Sequence, residues 1–91
     1  MAEFQKLSQY LKEKRTVSQH TQASLAEALG NVHSQFVSNW ERGLCAPPTH
    51  CFQKLIDILK LNREKLVEVM LEDSRAEIEA KILKKKPKSG R

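Results

Sequence analysis

Gln35, Ser38, Asn39 and Arg42 are spaced so that a helix running through them, at about 100° per residue, turns all four side chains to one side. The amides of Gln35 and Asn39 are of the kind that pairs bidentately with adenine N6 and N7 in a DNA major groove. The hydroxyls of Ser34 and Ser38 can donate to bases or to phosphates, and the Arg42 guanidinium suits a phosphate oxygen. Taken alone, such a pattern also describes an ordinary solvated helix face. Other chemistry is sparse. Cys45, His50 and Cys51, with His33 further away, contain no tight ligand pair, so no metal is expected. The two cysteines read as free, half-buried thiols of a reducing compartment rather than a disulfide. His20 and His33 read as turn residues. The chain has no glycine-rich phosphate loop and no plausible Cys–His or Ser–His–Asp set, so it is expected to be no enzyme and to need no cofactor.

The elements that must hold these residues follow from periodicity. Phe4, Leu7 and Leu11 recur at helical spacing and predict an amphipathic helix ending near Lys14, with Thr16 to His20 as a connector. Thr21 is a good N-cap for a second helix ending at Leu29, which Gly30-Asn31 stops because both tolerate the left-handed conformation. A short helix from Ser34 to Glu41 turns Val37 and Trp40 inward, with Phe36 on their flank, and ends at Gly43. Pro47-Pro48 enforces an extended link. Thr49 is expected to cap a fourth helix with Phe52, Leu55, Ile56 and Leu59 inward. Asn62 is expected to cap a fifth, running from Arg63 to about Leu83.

Charge needs to be read by location. Lys84, Lys85, Lys86, Lys88 and Arg91 account for the net charge of +5, leaving 11 basic residues against 11 acidic ones in residues 1–83. Global charge therefore does not establish nucleic-acid binding. Residues 84–91 are expected to be a disordered, mobile basic tail, either a solubilising end or an arm that tracks phosphates. No run of 18 apolar residues exists, and Met1-Ala2-Glu3-Phe4 lacks the pattern of a signal peptide, so a cytoplasmic location is expected.

The stretch from Thr21-Gln22-Ala23-Ser24-Leu25-Ala26 to Gly30, followed by Val37-Ser38-Asn39-Trp40-Glu41-Arg42-Gly43 and Pro47-Pro48, resembles the phage-repressor-like helix-turn-helix family. This is the Cro/cI-type, or xenobiotic-response-element, family of bacterial and phage regulators. The agreement spans residues 15–61. One departure is that nine residues separate Gly30 from Trp40, one more than the commonest family spacing, and Asn31 is the extra one. The resemblance implies an all-α, five-helix, lambda-repressor-like domain with a long C-terminal helix. Residues 1–62 would form the DNA-binding domain and residues 63–83 a helix for packing and dimerisation. It also implies a structural salt bridge between Arg15 and Glu41, and a second motif helix that enters the major groove. On that reading Ser34, Gln35, Ser38 and Asn39 contact bases, and Gln22 and Arg42 contact phosphates.

The fifth helix bears on assembly. Leu66, Val69, Met70, Ala76, Ala80 and Leu83 share one broad arc, expected to join the core, while Val67, Leu71, Ile78 and Ile82 form a second, narrower stripe. A helix packing only on its own domain needs one apolar face, so the second stripe is expected to meet its copy in a two-fold dimer. The function expected is a sequence-specific regulator of transcription, a repressor, bound to a palindromic operator on double-stranded DNA and so associated with the nucleoid. The alternative is a protein-interaction or antitoxin-type module that keeps the fold and offers the C-terminal helix to a partner.

Overall fold

A computed structural model describes residues 4–89 of the chain, with side-chain environments as far as Ile82. Five helices follow one another with no strand among the described residues: α1 (Gln5–Val17), α2 (Gln22–Ala28), α3 (Ser34–Glu41), α4 (Thr49–Leu59) and α5 (Arg63–Ser89). Leu7, Tyr10 and Leu11 of α1, Leu25, Ala26 and Leu29 from α2 and its end, and Val37 and Trp40 of α3 meet in one core. Cys51, Leu55 and Leu59 of α4, with Leu61, Leu66 and Val69, complete it. Each helix contributes residues three or four apart, the spacing that turns one face of a helix inward.

The short elements are bounded by explicit caps. Thr21 accepts from the Ser24 N–H at 2.9 Å, while Ser24 Oγ accepts from the Thr21 N–H at 2.9 Å, a reciprocal box at the start of α2. Gly30 (φ 107°) and Asn31 (φ 62°) both take the left-handed region in the turn to α3. The residue that lengthens this turn is thus one of the non-glycine types that accept that conformation at least cost. After α3, Gly43 donates to Trp40 O at 3.2 Å and Leu44 to Asn39 O at 3.0 Å, the paired bonds of a Schellman ending. Asn62 caps α5 through Oδ1 to the Lys65 N–H at 3.0 Å, and its own N–H donates to the Tyr10 hydroxyl at 3.0 Å.

Four boundaries or burials differ from expectation. Helix α1 continues past Lys14 to Val17, because Arg15 is anchored on other elements and holds the last turn in place. The N-cap of α4 is Pro48, with no side-chain cap, and Thr49 is already helical. Helix α5 is drawn past the expected end near Leu83 to Ser89, and the three lysines after Leu83 are good helix formers. Gly90 and Arg91, and the side chain of Leu83, lie outside the described residues. Finally, Ala76 and Ala80 are exposed, so the core-facing arc of α5 stops at Asp73.

Asp73 explains where that arc stops. Asp73 is 7% exposed, and its carboxylate accepts the N–H of Lys6 at 2.8 Å and of Leu7 at 2.9 Å. No side chain of its own caps α1. The first-turn amide protons, orphaned in any helix, are taken by a carboxylate from 66 residues away. Residues 63–73 therefore belong to the same core as residues 4–62. Beyond Asp73, α5 leaves the globule; the chain measures 52 × 26 × 22 Å, and 27 helical residues span about 40 Å.

Candidate nucleic-acid interface

Helix α3 separates two kinds of polar group. On its inner edge Glu41 is almost wholly buried, its side chain 4% exposed. Arg15 of α1 grips it with two nitrogens: Nε forms an ion pair with Oε2, and Nη2 donates to Oε1 at 3.1 Å. Gln22 of α2 adds a third bond, its amide nitrogen donating to Oε1 at 3.0 Å. The remaining arm of Arg15, Nη1, donates to the carbonyl of His20 at 2.7 Å. One carboxylate thus ties α1, α2 and α3 at a single point, and the expected Arg15–Glu41 bridge is in place.

The resemblance implies a phosphate contact for Gln22. Its half-buried amide nitrogen is instead engaged on Glu41, which leaves the carbonyl oxygen and the helix-start backbone as the groups it could offer outward. Glutamine at a helix start carries no sequence signal that distinguishes these two uses.

The outer face of α3 is the other kind. Gln35 is exposed, Ser34, Ser38 and Asn39 are half-buried, and Arg42, the C-cap, is exposed. Gln35 Nε2 donates to Asn39 Oδ1 at 3.0 Å across one helical turn, so the two amides form a single unit. That bond leaves the Gln35 carbonyl, its second N–H and the Asn39 NH2 available. An acceptor and donors side by side remain on the surface, the pattern needed for bidentate pairing with adenine. No carboxylate lies on this outer face, since Glu41 is turned inward.

Two further residues shape the start and flank of α3. His33 is its N-cap, with Nδ1 accepting from the Gln35 N–H at 3.0 Å, which puts the ring proton on Nε2. His20 sits in the earlier connector between α1 and α2, its Nδ1 2.9 Å from Ser24 Oγ. Phe36 is 52% exposed, beside the amide unit rather than under it. The Lys54 Nζ lies near the α2–α3 turn, 3.7 Å from where a Gly30 Cβ would stand, and brings a positive charge to that edge.

On α5, Val67, Leu71, Ile78 and Ile82 are all 52–64% exposed, as expected of a stripe that the domain does not cover. Both cysteines are free, Cys45 exposed and Cys51 buried. Among the described residues no three His, Cys, Asp or Glu side chains converge as metal ligands. No described helix is long and apolar enough to cross a membrane. In comparison with known proteins, no family model, no curated protein and no solved structure matches this chain.

Proposed function

We propose that this protein is a sequence-specific double-stranded DNA-binding regulator that lays α3 in the major groove. The observation that carries this is the outer face of α3. A hydrogen-bonded Gln35–Asn39 pair flanked by Ser34, Ser38 and Arg42 is held on a helix whose other side is locked by Val37, Trp40 and the Glu41 network. A rigid helix carrying uncharged, two-way hydrogen-bonding groups suits base edges, which present both donors and acceptors. Around it, Arg42, Lys54 and the backbone N–H groups at the start of α2 suit phosphates. The resemblance of residues 15–61 to the phage-repressor-like helix-turn-helix family points the same way.

The account extends to a homodimer, with repression by occupying a palindromic operator as the simplest mode of action. Val67 and Ile78, and likewise Leu71 and Ile82, stand eleven residues apart, which keeps all four within about 60° along α5. One flank of this stripe is net acidic, with Glu68, Glu72 and Glu79 against Arg75. The other is net basic, with Arg63 and Lys81 against Glu77. A parallel two-fold pair sets unlike flanks together, which favours a second copy as the occupant. Sedimentation at tens of micromolar should find a dimer that the Leu71→Glu, Ile78→Glu double variant converts to monomer. A monomeric wild type would leave the stripe to a different protein, the interaction-module reading.

The DNA-binding proposal is tested by titrating the protein into random-sequence duplexes and sequencing what it retains. A common two-fold-symmetric site should emerge, with affinity falling steeply as salt rises. Retained duplexes with no shared sequence would overturn specific reading.

A further inference from the structure

We propose that Phe36 is a specificity-determining residue of α3 that receives the 5-methyl group of a thymine. This rests on the DNA-reading proposal above and names what the helix selects. Phe36 is the large apolar side chain that α3 leaves in water, 52% exposed, while its neighbours Val37 and Trp40 are buried at 1% and 4%. Projected around the helix it lies about 60° from Asn39, on the border between the apolar underside and the amide unit. Its backbone is fixed: its N–H donates to His33 O at 3.0 Å in the first turn, and the buried Val37 and Trp40 on the underside hold the helix from rotating.

The two features complement one base pair. The Gln35–Asn39 unit offers an acceptor and donors, the match for adenine N6 and N7. An A·T pair carries in the same groove one group with no hydrogen-bonding capacity, the thymine methyl, and apolar side chains are what it accepts. An amide unit beside an exposed aromatic ring is therefore complementary to A·T-containing steps. A G·C pair would leave the ring facing polar edges with no apolar partner.

The test uses the full chain and the duplex it selects from a random library. Each thymine of that duplex is replaced in turn by deoxyuridine, which deletes only the methyl group. Binding is then measured for the wild type and for Phe36→Ala, whose folding is checked by thermal melting. At one thymine per half-site the wild type should weaken by about fourfold, the effect of removing one buried methyl group. Phe36→Ala should bind the unmodified duplex about as weakly and lose nothing further at that deoxyuridine. Insensitivity of the wild type to every deoxyuridine, or an undiminished penalty in Phe36→Ala, would overturn the role of Phe36 while leaving DNA reading intact. If no site is enriched from the library, DNA reading itself fails and this assignment with it.

Discussion

The two polar clusters of α3 are built from similar groups and held in opposite ways. Around Glu41 the charged groups are spent inside the protein: Arg15 and Gln22 donate to the carboxylate, and Arg15 also donates to the His20 carbonyl. Around Gln35 and Asn39 one bond is made between the amides and the rest of their capacity faces outward. A buried polar group must be satisfied because leaving it unpaired costs more than the bond returns. An exposed one is satisfied by water and can exchange that water for a ligand. The inner cluster therefore reads as architecture, and the outer one has the free capacity that the proposed recognition needs. The same division separates Gln22, whose amide nitrogen is committed to Glu41, from Gln35, which keeps hydrogen-bonding capacity at the surface.

That division can be attacked from the inside first. Trp40 is buried at the centre of the contact between α3 and the rest of the core. Trp40→Ala should cost about 3–5 kcal/mol, enough to unfold most of so small a domain. A variant with an unchanged denaturation midpoint and only a binding defect would place Trp40 on the recognition side instead. Next comes Glu41→Ala, which leaves the Arg15 guanidinium, 14% exposed, without its counter-charge. A loss of about 2–4 kcal/mol is expected, just under the range for a fully buried pair because Arg15 keeps some contact with water. A loss near zero in urea unfolding would mean that the cluster is ornamental to the fold. Asp73→Ala should follow at about 1–3 kcal/mol, the cost of orphaning the Lys6 and Leu7 amide protons. Asp73→Asn, which keeps an acceptor, should lose less. Hydrogen exchange should speed up selectively at Leu7, and no change there would contradict the cap.

How far these features were legible depends on the range of the forces involved. The helices, the Thr21 and Asn62 caps and the left-handed turn at Gly30-Asn31 follow from local chemistry, and their sequence signals are local too. The Arg15–Glu41 pair joins residues 26 apart and became legible only through the family resemblance. Gln22 shows the limit, because a side chain that could reach outward found a deeper partner. Asp73 carried a signal that could have been used: an acid lying in the same arc of α5 as Leu66, Val69 and Met70. An acid on an apolar arc implies a buried partner. The partner was not deducible, because it is a pair of backbone groups at the far end of the chain. The same missing knowledge extended the expected core to Ala76 and Ala80, where no described element lies opposite.

The outer cluster is tested most directly by Asn39→Ala, measured by competition on the duplex selected by the wild type and on a scrambled duplex of equal length. Asn39 is half-buried and its side-chain hydrogen bond is to the exposed Gln35, so the variant should melt within a few degrees of the wild type. On the selected duplex its affinity should fall roughly five- to 150-fold, the range for losing one bidentate base contact, with little change on the scrambled one. Equal losses on both duplexes would show that α3 touches DNA without reading it, and would contradict the division between the two faces.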